Sequence, residues 1–276
     1  MEKLLNHGSD VIKCLQDSLG DPELCDVKFV ASDGDVPANK TILTIRSQYF
    51  RSMFSDNNNF VESQTGVVKM PYSKSVVEKV VYYLYSGKIN CEDLLLGSQL
   101  ELMDMLNLIN LPEVFWVVEE VTISKILKGD FSLPDCLRAL GSRLGLNMVG
   151  VPLLTHLGRN FGHFSQDEAV GTLSEEMIPW LLEEEKDIKG QTIHRFRTLV
   201  TWLSYSGKAN MKEELLKLIN FDHFTVEELA TVVRKSELYS KDQIIERMEK
   251  LYQKKERELA EMCEWTLLVP RSIRNK

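Results

Sequence analysis

The residues best able to bind a metal or attack a substrate are five histidines and five cysteines, and their spacing builds neither site. His7, His156, His163, His194 and His223 fall in unrelated segments. His156 and His163 stand close to two helical turns apart, but Gly158 and Gly162 intervene and no acidic or thiol partner stands at ligand spacing. Surface histidines on helices are expected, and no metal. Cys14, Cys25, Cys91, Cys136 and Cys263 are odd in number and far apart, with no CxxC pair. Reduced, mostly buried thiols are therefore expected. Cys25 stands beside Asp26 ahead of an apolar strand, with no histidine near it. That suits a structural thiol better than a nucleophile. Glu183-Glu184-Glu185 reads as a solvated helix end. No GxGxxG, P-loop, GxSxG or HExxH pattern occurs. No catalytic residues, no cofactor and no enzymatic activity are expected.

The 276 residues carry a net charge of −8, which argues against a body built to bind nucleic acid. Lys254, Lys255, Arg257, Arg271, Arg274 and Lys276 are basic, but Glu256, Glu258, Glu261 and Glu264 interleave with the first group. An exposed helix with a flexible end is expected there. No apolar run reaches the roughly 18 residues of a membrane span, and Met1 to Gly8 lack the layout of a secretion signal. The expectation is a cytoplasmic and nuclear chain that binds neither nucleic acid nor membrane.

The elements that would hold any binding surface come from periodicity. Val11, Ile12, Leu15 and Leu19 repeat at helical spacing, ended by Gly20-Asp21-Pro22. So short a helix has little stability alone, and its stripe must lie against its own domain or a second chain. Val27, Phe29 and Ala31 alternate as a strand. The turn at Ser32 to Asp35 predicts a second strand around Val36. Residues 39–54 read as one helix, broken by Asp56-Asn57-Asn58-Asn59, and residues 67–70 as a third strand. Helices follow over 75–85, 93–109 and 112–127. Beyond a joint at residues 128–131 everything reads as helical: 133–141, 150–161, 165–173, 175–183, 191–206, 210–218, 225–234 and 240 to about 263, with breaks at Gly141, Gly145, Gly162, Gly190 and Gly207. Antiparallel helices joined by short loops are expected, without a fixed repeat.

Residues 24–127 hold four ordered blocks. They are Leu24-Cys25-Asp26-Val27, Pro37-Ala38-Asn39-Lys40, Arg46-Ser47-Gln48-Tyr49-Phe50-Arg51-Ser52-Met53-Phe54 and Leu84-Tyr85-Ser86-Gly87. Together they resemble the BTB (POZ) family, with Asn39 standing where the family has histidine. The remainder resembles the BACK domain of kelch-like proteins, over residues 135–163 and 178–205. The fold expected is α+β: a BTB/POZ domain of helices around a small sheet, then an all-α BACK domain. The expected boundaries are 1–20 for an N-terminal dimerisation helix, 21–127 for BTB, 128–252 for BACK and 253–276 for a tail.

The resemblance implies an adaptor. Domains of this kind pair through an N-terminal helix, which fits the stripe Val11, Ile12, Leu15 and Leu19. Asp26 and Lys40 would lie near the dimer axis in a charged pocket, the alternative being a local ion pair. Many relatives bind cullin-3 through a hydrophobic-x-Glu motif after the helix ending Met-Phe. Here Phe60, Val61 and Glu62 occupy that position, with Phe60 as apolar anchor unless it folds back into its own core. The family places a substrate module, often a kelch propeller, after BACK, and no propeller pattern occurs in this chain. The leading expectation is a homodimeric, substrate-recruiting adaptor of a cullin-3 RING ubiquitin ligase, with an unknown protein substrate. The alternatives are a non-ligase scaffold or transcriptional co-regulator, and a short regulator that pairs with other BTB proteins of the kelch-like type.

Overall fold

A computed structural model describes residues 8–19, 21, 23–55, 60–184, 190–206 and 211–268. The asparagine run at 57–59, the Gly20 and Gly207 breaks, His7 and the basic residues after 268 lie outside the described residues. The alternation at Val27 and Phe29 forms β1 (Val27–Val30), with those two side chains buried and Lys28 exposed. β1 is the centre of a three-stranded sheet ordered β2-β1-β3. β2 (Asp35–Ala38) runs antiparallel to it with Val36 opposite Phe29, and β3 (Val67–Lys69) runs parallel with Val68 opposite Phe29.

Helix α1 (Gly8–Asp17) precedes the sheet. Between β2 and β3 the chain forms α2 (Lys40–Arg46), α3 (Gln48–Met53) and α4 (Val61–Thr65). The single helix expected over 39–54 is thus two. Ser47 is extended at φ −135°, ψ 126°, where its N–H donates to the Leu43 carbonyl and its own carbonyl accepts from Arg51. One residue ends α2 and begins α3 with its backbone groups satisfied, so the break costs little. Asn39 heads α2. Its Oδ1 accepts from the N–H groups of Thr41 (2.9 Å) and Ile42 (3.3 Å), and its Nδ2 donates to the Leu24 carbonyl (2.6 Å). Asparagine is a strong N-cap, which accounts for a helix starting at Lys40.

The chain divides into two compact units, Met1–Leu157 and Gly158–Lys276. The first also contains α5 (Lys74–Ser86), α6 (Leu96–Leu108), α7 (Pro112–Lys128), α8 (Leu133–Gly141) and most of α9 (Arg143–Arg159). The expected stripe Val76, Val77, Val80, Val81 and Leu84 is buried on α5. Two fully buried polar side chains satisfy each other between α6 and α7: Thr122 Oγ1 lies 2.8 Å from Gln99 Oε1, while Gln99 Nε2 donates to the Cys91 carbonyl (2.7 Å). Gly145, expected as a break, lies inside α9. A Cβ there would fall 2.0 Å from the Ala139 carbonyl oxygen, so the glycine permits a close backbone approach. The break in α9 is at Val149 (φ −134°, ψ 24°), three residues before Pro152, which has no N–H to continue the ladder.

The second unit contains α10 (Phe161–Phe164), α11 (Met177–Glu183), α12 (Thr192–Ser206), α13 (Lys212–Leu216), α14 (Val226–Glu228), α15 (Arg234–Ser236) and α16 (Lys241–Leu268). The helix expected over 165–173 is only a 3-10 turn, Glu168–Thr172. Asp167 is extended and its Oδ1 accepts the Ala169 N–H (2.8 Å), which restarts the chain there. The core is aromatic: Trp202 is fully buried and its Nε1 donates to the Leu173 carbonyl (2.9 Å). Buried Arg195 donates from Nη1 to the Leu182 carbonyl (2.8 Å), from Nη2 to the Glu184 carbonyl, and lies over the Phe161 ring. These bonds hold the end of α11 against α12. Every described strand lies in the single sheet of the first unit, and no described helix is long and apolar enough to cross a membrane.

Candidate protein-interaction site

Phe60 does not fill its own core. It remains 49% exposed and Val61 67% exposed, directly before and at the start of α4. Phe60 and Glu62 line a cavity of about 510 Å³ together with Gln48, Tyr49, Met53 and Asn110. Tyr49 and Met53 are one helical turn apart on α3, so the spacing that buries Phe50 on one side presents these two on the other. Tyr49 packs edge-on against Phe50 at 5.3 Å between ring centroids, and Phe50 packs on Phe29 of β1 at 5.5 Å. The sheet therefore supports the cavity wall through two aromatic contacts. Asn110, in the left-handed region at φ 55°, closes the wall from the α6–α7 joint.

The cavity sets the apolar Met53 and Phe60 among polar side chains, of which Tyr49 and Glu62 are the two that ionise. Burial first, then the charge of Glu62, raises the Tyr49 pKa above its ordinary value, so the phenol stays a hydrogen-bond donor near neutrality. No described side chain hydrogen-bonds or ion-pairs with the Glu62 carboxylate, which leaves it free to accept from a partner. An aromatic side chain, an exposed valine and an unpaired carboxylate around an open cavity have the chemistry that anchors protein interfaces. Among the described residues no three His, Cys, Asp or Glu side chains converge as a metal site would require.

Lys40 and Asp26 act locally on this surface. The Asp26 carboxylate accepts the backbone N–H of Lys40 (2.7 Å), while the Lys40 ammonium donates to the Ser63 carbonyl (3.1 Å) and lies 5.4 Å from the centroid of the Phe54 ring. Lys40 thus ties α4 to the head of α2, and the two side chains form no ion pair with each other. At the other end of α4, Gly66 adopts φ 66° with a would-be Cβ 2.8 Å from the Asp26 carbonyl oxygen. That position accepts only glycine without rearrangement.

In α1, Val11 is 57% exposed and Ile12 37%, whereas Leu15 is half-buried; Leu19, expected on the same stripe, lies half-buried in the turn after the helix. The helix packs on α5 of its own chain, where Gln16 Nε2 donates to the Tyr82 hydroxyl (2.8 Å). The stripe is therefore graded: Val11 is more than half exposed, Ile12 less so, and Leu15 is half-buried.

Residues 15–124 match the BTB/POZ domain family. Human Kelch-like protein 11 is 25% identical over 235 residues, covering 80% of this chain and 32% of that protein. BTB/POZ domain-containing protein 9 of Drosophila melanogaster is 23% identical over 230 residues, covering 81% of this chain and 30% of its own. Among solved structures, the BTB domain of zebrafish PATZ1 is similar at 24% identity and a TM-score of 0.36, covering 44% of this chain and 95% of that one. The chain spans about a third of the length of these curated relatives.

The fold and the exposed surface define a protein-interaction module. The chain carries a BTB/POZ domain, followed by a helical region in keeping with BACK, and is similar to kelch-like proteins over about 80% of its length. Proteins of this kind are generally adaptors, not catalysts.

Proposed function

We propose that this chain is a homodimeric, substrate-recruiting adaptor of a cullin-3 RING ubiquitin ligase, working in the cytoplasm and nucleus. The observation that carries the reading is the placement of Phe60 and Glu62 on one open cavity, with Phe60 half-exposed and Glu62 unpaired. Phe60 inserts into an apolar groove of the cullin, Glu62 accepts hydrogen bonds from it, and the Tyr49–Met53 wall receives the partner's own apolar side chain. Val11 and Ile12 pair across a two-fold axis, where an isologous contact buries both copies. Two chains then present two cullin arms. Ligase and substrate held on one scaffold meet at a raised effective concentration, with no chemistry by the adaptor itself.

The test is a calorimetric titration with the N-terminal domain of cullin-3, beside a Phe60→Ala, Glu62→Ala double variant. Full burial of a phenylalanine side chain is worth about 1.5–3 kcal/mol. Phe60 is already half-buried in the free chain, so its loss alone should weaken binding by roughly three- to tenfold. Equal binding by the variant, or none by a folded wild-type dimer, overturns the reading.

A further inference from the structure

The second unit has a cavity of about 360 Å³ between α12 and the segment from Thr231 to Ser236. Its lining includes the cations Arg197 and Lys235 and no carboxylate, in a chain whose net charge is −8. Neither cation forms an ion pair with a described residue. Two uncompensated positive charges facing one recess attract an anion.

The hydroxyls there are set the other way. Thr201 Oγ1 donates to the Ser165 carbonyl (2.9 Å) and Thr231 Oγ1 to the Glu227 carbonyl (2.7 Å). With their protons committed, both oxygens offer lone pairs and accept from a ligand N–H. Val200 and Val232 supply apolar wall, and the Gln166 amide offers both a donor and an acceptor.

The backbone is unusual at the same place. Between α14 and α15, residues Leu229–Val233 form a π turn in which the Arg234 N–H donates to the Leu229 carbonyl, five residues back. Single π turns inside α-helices occur frequently at functional sites. This one places Thr231 and Val232 on the cavity and Ala230 on a second recess of about 620 Å³, which shares Lys235 and adds Arg234 and Lys241 beside one carboxylate, Glu237.

We propose that this cavity binds an acidic peptide segment. A ligand carboxylate or phosphate group pairs with Arg197 and Lys235, while backbone N–H groups of the same peptide donate to the Thr201 and Thr231 oxygens. Inorganic phosphate meets only the cations and binds more weakly. That the peptide belongs to a recruited substrate rests on the adaptor reading; the binding itself does not.

The experiment is fluorescence anisotropy of the full chain with a labelled Glu- and Asp-rich peptide, its Gln- and Asn-substituted counterpart, and inorganic phosphate as competitor. The acidic peptide should bind saturably and lose affinity as ionic strength rises. The neutral peptide should not bind. A R197Q/K235Q variant removes two charge-assisted bonds and should weaken binding by about tenfold or more. A K254Q/K255Q variant loses the same charge on the exposed part of α16 and should bind as wild type. Absence of saturable binding by the acidic peptide, equal binding by R197Q/K235Q, or equal loss in K254Q/K255Q overturns the proposal. Circular dichroism of each variant checks the fold. Cullin-3 titration of R197Q/K235Q is expected to be unchanged, so failure of the ligase reading and failure of this site are separate results.

Discussion

Replacing Asn39 should loosen the helix that carries the interaction surface. The side chain makes two kinds of bond: its Oδ1 caps α2 through Thr41 and Ile42, and its Nδ2 donates to the Leu24 carbonyl. Losing an N-cap of this type costs about 1 kcal/mol, and losing the amide bond to Leu24 about 1 kcal/mol more. Asn39→Ala should therefore cost about 2 kcal/mol. Asn39→Asp keeps the cap and loses only the donor, so it should cost about half as much. The backbone N–H of Asn39, which donates to the Tyr85 hydroxyl (2.8 Å), is untouched by either change. Hydrogen exchange followed by mass spectrometry reads the opening of α2 directly. About 2 kcal/mol corresponds to roughly thirtyfold faster exchange in Asn39→Ala, and Asn39→Asp should fall near a factor of five. Unchanged exchange in Asn39→Ala, or equal acceleration in both variants, would refute the capping argument.

Other outcomes follow from the same geometry. Gly145→Ala places a methyl group 2.0 Å from the Ala139 carbonyl oxygen. It should destabilise the first unit by about 1–3 kcal/mol or more, seen as a lower urea midpoint. Burial, with a smaller push from Asp135, raises the Cys136 thiol to about 12, so at pH 8 it is protonated and shielded. Iodoacetamide with peptide mapping should label exposed Cys14 in the folded protein and Cys136 only after unfolding. Val11→Glu combined with Ile12→Glu puts charge on the exposed part of α1, and light scattering should report a dimer for the wild type and a monomer for the variant.

Periodicity and motif order carried much of this fold. The β1–β2 pair, α5 and α8 follow from alternation, stripe spacing and cap residues whose burial is local. The Ser47 break was not legible, because Leu43 and Phe50 stand seven residues apart and fit one continuous helix equally well. The 3-10 turn after Asp167 and the π turn at Leu229 depend on tertiary packing that periodicity does not encode. At the surface, Phe60 and Glu62 were marked by sequence, whereas Tyr49 and Met53 carried only a one-turn spacing inside an apolar motif. Asn110 joins them from a loop roughly fifty residues away in sequence, which no local pattern reveals. Of the two readings offered for Asp26 and Lys40, the local ion pair does not form: the Asp26 carboxylate accepts the backbone N–H of Lys40, and the Lys40 ammonium reaches the Ser63 carbonyl instead.

The central claim is that a protein partner docks on the cavity formed by α3 and the start of α4. Hydrogen-exchange footprinting of the full chain with and without the N-terminal domain of cullin-3 tests it most directly. The account expects slowed exchange over Gln48–Met53 and Val61–Thr65, with α12 and α16 unchanged and the footprint lost in the Phe60→Ala, Glu62→Ala variant. Binding that protects other segments while α3 and α4 exchange as in the free protein would contradict it.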